Sequence, residues 1–239
     1  MKRFTFLVPA MILFIAVISL SGCTLPIVAI NNAMLALAAD SGSGTESNPY
    51  IIENKTFDMA GKNVNAGIHL RNTTAYLEIR NITVKNGIEA LGQKDNLSSA
   101  NCLGILLENV SHVTIKDCHF ENNNMGMWLE GCFNVSAINN TVLNNRYRGI
   151  YLMDSNNCRI EGNTVNSDNA EYDNNILLNI NTQKPASVCK FNKVWNNETK
   201  EVTLSGNENT AYNDITGNSW GGVPAAVHVG TNVGPNYIY

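Results

Sequence analysis

The chain has 239 residues, 44% hydrophobic and 15% charged, with 16 Lys and Arg against 20 Asp and Glu for a net charge of −4. This is enough apolar content for one folded domain and too little charge for disorder by self-repulsion. No block of like charge forms the cationic face that nucleic acid demands, so DNA and RNA are not expected partners.

Asn is the unusual residue, 38 of 239. It favours turns and left-handed backbone positions over helix interiors, so helix should be scarce.

In chain order, residues 1–22 pass from a basic start at Lys2 and Arg3 through an apolar run to a small-residue end, the composition of an export signal. Leu20, Ser21, Gly22 and Cys23 resemble a lipobox, the recognition sequence of lipoprotein signal peptides. The resemblance implies that Cys23 carries the lipid and holds the protein to the outer face of the cytoplasmic membrane, at the cell envelope. An uncleaved membrane anchor is the alternative and puts the rest of the chain on the same side.

Residues 23–46 then form a tether. Within it, 25–40 are apolar enough to cover one end of a fold, and 41–47 (SGSGTES) read as a joint. Asn54, Asn72, Asn81, Asn96, Asn109, Asn134, Asn139 and Asn197 each begin an N-x-S/T sequon, usable only in an exported chain.

Self-similarity dominates the chain beyond the tether. The segments 104–124, 126–145 and 149–169 align with a period of 22 to 23 residues. An earlier copy occupies 67–87 and is followed by an insertion over 88–101. Looser copies begin at Asn175 and Glu201.

The alignment yields apolar columns. Ile68, Ile105, Met127, Ile150 and Ile176 form one, with Leu70, Leu107, Leu129, Leu152 and Leu178 two residues on. Leu77, Val113, Val135, Cys158 and Cys189 form the next, followed by Ile79, Ile115, Ala137, Ile160 and Phe191. Val84, Phe120, Val142 and Val165 form the last. Spacing by two puts each pair on one side of a short strand, three strands to a repeat.

Such a unit buries its face only by stacking on copies of itself, at about 4.8 Å per strand. The expected fold is all-β, a single-stranded parallel β-helix of about six coils over 47–220, with 221–239 as a C-terminal cap or tail. Asn140 and Asn163 share a column, where stacked amides can bond from coil to coil. Cys118 occupies that column one coil earlier and should end the ladder.

The opening SNPYIIEN at 47–54 and the repeated G-I-x-L and N-N-T-V elements resemble the right-handed parallel β-helix proteins of the carbohydrate-binding and sugar-hydrolase type, including periplasmic copper-maturation proteins of the NosD kind. The resemblance implies the right hand of the solenoid. It leaves function open, because this scaffold carries lyases, hydrolases, adhesins and binding modules.

The outward positions of the first strand are His69, Leu106, Trp128, Tyr151 and Leu177, then Arg71, Glu108, Glu130, Met153 and Asn179. Trp128 and Tyr151 offer flat apolar surface to sugar rings, while His69, Arg71, Glu108 and Glu130 bond hydroxyls, which makes a carbohydrate-binding groove. The alternative is that a terminal segment or the 88–101 insertion covers the stripe.

Glu108 and Glu130 fall in neighbouring coils about 5 Å apart, near the ~5–5.5 Å of a retaining glycosidase pair. They are the catalytic candidates if the protein is a glycosidase or polysaccharide lyase. Asp168, Glu171 and Asp173 could supply oxygen ligands to Ca²⁺, in a spacing that matches no calcium loop, and a solvated acidic loop is the alternative. His69, His112, His119, Cys118 and Met125 are the candidate copper ligands and do not converge in the alignment. Cys158 and Cys189 share an inward column, so either a disulfide or a stack of buried thiols fits.

The expectation is an exported lipoprotein, anchored to the membrane by its N-terminal lipid, that binds a polysaccharide or glycoconjugate without catalysis and without a cofactor. A lyase or glycosidase, a structural or interaction module of the cell surface, and a NosD-like role in copper maturation are the alternatives.

Overall fold

The computed structural model describes residues 25–62, 64–88, 102–167, 174–184 and 186–239. The expected export segment with Cys23, most of the 88–101 insertion, and Asp168, Glu171 and Asp173 lie outside the described residues. The rest is almost wholly strand, with one short helix, Asn32–Ala38.

The chain winds as a parallel β-helix. Eight strands stack into a first sheet in the order Ile27–Ala29, Ala66–Arg71, Leu103–Glu108, Met125–Glu130, Arg148–Met153, Asn174–Asn179, Glu201–Leu204 and Ala226–Val229. A second sheet of 14 strands wraps the two remaining sides. It can do so because Leu77–Lys85 bends at Asn81 (φ 50°) and pairs with Ser111–Lys116 before the bend and His119–Glu121 after it.

Register follows the apolar columns. Ile68 pairs with Ile105, Ile105 with Met127, Met127 with Ile150 and Ile150 with Ile176, and all are fully buried. A glycine column stands one position earlier for lack of space. A Cβ on Gly126 would lie 2.3 Å from Val142 Cγ1 and 2.7 Å from the Gly149 carbonyl, and one on Gly149 would lie 2.2 Å from Val165 Cγ1.

The corners explain the Asn content twice over. Outside each bend stands a residue in the left-handed region, where Asn, Asp and Gly are tolerated best. Between the two arms of the second sheet this column is Asn54, Asn81, Asp117, Asn139, Gly162, Asn196 and Gly217, with φ between 50° and 69°.

Inside the same bend runs a buried ladder. Asn140 donates from its backbone N and from Nδ2 to Asn163 Oδ1 (2.8 and 2.9 Å), Asn163 likewise to Asn197, and Asn197 to Asn218. Each Nδ2 also donates to a carbonyl of the coil before, such as Ala137 for Asn163. The ladder ends where expected: Cys118 N donates to Asn140 Oδ1, and the thiol turns to the Lys116 carbonyl. A second ladder, Asn192, Asn213 and Asn236, starts beneath Cys158.

At the N-terminal end a short helix packs on the stack. Asn31 caps the helix by accepting from Met34 N, and Leu35 is fully buried against the first coils. At the other end the chain also forms strands. Residues 221–239 extend the stack, with Ala226–Val229 pairing parallel to Glu201–Leu204 and Tyr237–Ile238 parallel to Asp214–Thr216.

One column also shifts. Ile160 pairs with Val194 and Arg159 with Lys193, which puts Asn192 beside Cys158. Cys189 therefore belongs to the row before, paired with Thr210, and Phe191 stands 58% exposed instead of inward. The insertion between Asn179 and Cys189 displaced the alignment by three residues.

Candidate functional site

Parallel pairing places the outward rows as the alternation required: His69, Leu106, Trp128, Tyr151 and Leu177 in one, and Arg71, Glu108, Glu130, Met153 and Asn179 in the next. Their environments differ sharply.

The apolar row is not an open stripe. Leu106, Tyr151 and Leu177 are buried and form a second core cluster, with Trp128, Tyr147 and Met153 packed against it. The Tyr151 ring is 6% exposed. Trp128 lies against it at 5.6 Å between centroids, and the Arg148 guanidinium sits 4.6 Å from its centre. Its hydroxyl donates to Met153 Sδ and accepts from Asn179 Nδ2, and burial pushes the phenol's pKa up. Tyr151 as an open sugar platform is thereby corrected: the outward face of a strand is solvent-facing only where nothing packs on it.

The polar row opens into a cleft of about 480 Å³ lined by Arg71, Asn72, Glu108, Asn109, Glu130, Gly131 and Lys184. Glu108 receives a two-pronged bond from Arg71 (Nε to Oε2 3.1 Å, Nη2 to Oε1 2.9 Å) and meets His69 Nε2 at 2.5 Å. Burial alone would raise the Glu108 carboxyl, but the bonds from Arg71 and His69 outweigh it and hold the group below its usual range.

Glu130 pairs with Lys184 at 2.9 Å, and Lys184 lies 3.8 Å from Asp154. The bond to Glu130 raises the Lys184 pKa. The floor of the cleft is the first-sheet corner, where Asn72, Asn109, Gly131 and Asp154 take left-handed φ of 51° to 63°. Asn109 Nδ2 donates to Asn72 Oδ1 at 2.9 Å.

His69, Arg71, Glu108 and Glu130 thus come together, and Trp128 borders them half-buried. Sequence reasoning misses Lys184, which reaches the site from a turn outside the repeat, where no periodic signal marks it. The corner residues Asn72, Asn109, Gly131 and Asp154 are legible as Asn, Gly or Asp directly after a first-sheet strand.

The remaining candidates disperse. His112 stacks on Tyr76, His119 pairs with Glu121, and Cys118 and Met125 are buried in separate places. Among the described residues no group of three or more His, Cys, Asp or Glu is placed to hold a metal ion. Cys102, Cys118, Cys132, Cys158 and Cys189 are all buried free thiols, so the disulfide alternative for Cys158 and Cys189 is not taken. Burial pushes Cys158 and Cys189 up to about 12, far from nucleophilic.

A family model described as the right-handed beta helix region matches residues 36–220. No curated protein and no solved structure matches the chain.

Proposed function

The chain belongs to the right-handed β-helix family, and on that premise we propose an exported, lipid-anchored binding protein that holds carbohydrate in the cleft at the polar edge of its first sheet. The observation that carries the reading is the ordered pair of ion pairs, Arg71 with Glu108 and Glu130 with Lys184, in an open cleft on a rigid stack of strands.

The two cations, Arg71 and Lys184, are matched by Glu108 and Glu130, and Asp154 stands 3.8 Å from Lys184, so the cleft has no surplus of positive charge and suits a neutral ligand rich in hydroxyl groups. Such a ligand accepts from Arg71 and Lys184 and donates to the carboxylates. Export and lipid attachment rest on the apolar N-terminus and on Leu20 to Cys23.

Arg71 and His69 stabilise Glu108 as the anion, which takes the general-acid role from it and leaves it only that of a nucleophile or base should the cleft be catalytic.

The test is a binding screen of the full-length chain against neutral and acidic polysaccharides, with product release recorded in the same samples. Replacing Arg71 and Glu130 together by Ala should weaken binding of the neutral ligand at least about tenfold, the loss expected for two charge-assisted contacts. Far-UV circular dichroism should stay unchanged. A folded double variant that binds like the wild type refutes the site, and released product moves Glu108 and Glu130 to catalysis.

A further inference from the structure

At the entrance to one arm of the second sheet runs a column of left-handed residues, His112, Asn134, Asn157, Phe191 and Tyr212, with φ of 60°, 54°, 53°, 59° and 57°. Asn at such a position needs no explanation. Phe and Tyr do, because bulky side chains pay for left-handed backbone and Asn would not. Two successive coils nonetheless place rings there.

Phe191 and Tyr212 stack almost parallel, 5.6 Å between centroids and 11° between planes, and both are exposed, at 58% and 44%. At the other end of the column His112 stacks on Tyr76, 4.5 Å between centroids. Between the two ring pairs lie Asn134 and Asn157, so His112 and Phe191 are three coil steps apart, roughly 14 Å.

The gap is a cleft of about 360 Å³ whose lining includes Asn134, Asn157, Arg159, Phe191 and Lys193. Its borders are cationic. Arg159 and Lys193 stand in one flanking row, and Lys190 stands in the other, 5.9 Å from the Tyr212 ring centre. Glu161 pairs with Arg159, and the row of cations ends at Asp214 in the next coil.

We propose that this corner column is a second carbohydrate site, specific for an anionic polysaccharide laid along the helix axis. The exposed rings at Phe191 and Tyr212 take the flat faces of sugar units. Asn134 and Asn157 bond hydroxyls across the gap, and Lys193, Arg159 and Lys190 meet the carboxylate or sulfate groups. It lies on a different sheet from the first-sheet cleft, shares no residue with it, and differs from it in net charge. It rests on the first reading only for the class of ligand.

The strain supplies the test. Replacing Phe191 and Tyr212 together by Asn installs the residue that this backbone prefers and continues the existing Asn column. The thermal midpoint should therefore hold or rise. Affinity of the full-length chain for polygalacturonate or alginate, measured at low salt by calorimetry, should fall at least about tenfold for the loss of two stacking rings. It should be kept in the Arg71→Ala/Glu130→Ala chain.

A second variant, Lys193→Ser with Lys190→Ser, should lower the same affinity and flatten its salt dependence without touching the rings. Loss of anionic binding only in the Arg71/Glu130 chain overturns the second site while leaving the first. Unchanged binding in the ring variant also overturns it, as does a wild-type chain that binds neither anionic polymer.

Discussion

Neighbouring Asn residues at one corner do different work, and substitution separates them. Asn163 is fully buried. Its side chain takes part in four hydrogen bonds: it accepts twice from Asn140 and donates to the Ala137 carbonyl and to Asn197 Oδ1. At about 1 kcal/mol net per bond, Asn163→Ala should cost about 4 kcal/mol. That is a large share of the roughly 5–15 kcal/mol that holds a domain of ordinary stability, to which an orphaned Asn140 N–H adds. Asn139, one coil earlier and outside the bend, is exposed at φ 54°. Asn139→Ala loses only the left-handed preference, about 1–2 kcal/mol, and Asn139→Gly should be nearly neutral. Urea unfolding followed by far-UV circular dichroism gives the midpoint and the slope for each variant. The slope matters because a solenoid weakened in the middle can unfold in two parts, which lowers it. If Asn163→Ala costs no more than Asn139→Ala at equal slope, the ladder does not carry the stability assigned to it.

Gly126→Ala should destabilise by about 1–3 kcal/mol without any backbone strain, because the added methyl meets Val142 Cγ1 at 2.3 Å; a thermal midpoint equal to the wild type would contradict the packing. The five thiols should resist a disulfide-exchange reagent at pH 8 in the folded protein and all react after denaturation, and a missing pair would show a disulfide among them. The Glu108 carboxyl is depressed in the folded state, so its contribution to stability is present above its ordinary value of 4.5 and is lost as pH falls through the lower folded value. Glu108→Gln should therefore flatten the acid limb of stability measured from pH 6 to pH 3, and an unchanged limb would place the linkage elsewhere.

Much of the architecture is legible because the physics repeats. Each coil must turn the same apolar pairs inward, so the columns through Ile105 and Leu107 or Val135 and Ala137 align without reference to any structure, and the buried Asn140 and Asn163 stand out as polar residues in an inward column. Legibility fails where the period is interrupted. After Asn179 the chain spends extra residues before Cys189, and apolar spacing alone does not distinguish Phe191 from Val194 as the partner of Ile160. The polar ladder does distinguish them, since Asn197 and Asn218 follow Val194 and Ile215 by three residues, as Asn140 and Asn163 follow Ala137 and Ile160. The site is legible as a row of outward charges, but whether a row is covered depends on tertiary contacts. Tyr151 and Trp128 have the same alternation as Arg71 and Glu108 and a different fate.

The sequons follow from the same geometry. An exposed Asn takes the left-handed corner, an inward residue follows, and a Thr or Ser comes next, facing outward. Asn72, Asn81, Asn109, Asn134 and Asn139 each satisfy this rule for reasons of backbone alone. The motif is therefore poor evidence for modification in this fold, and the informative corners are those that break the rule. Phe191 and Tyr212 break it together, in adjacent coils, beside cations and over a cleft, where Asn would have relieved the backbone. In a solenoid the repeat states what stability needs at each position, so a departure that costs stability and is compensated by no buried contact locates a demand from outside the fold.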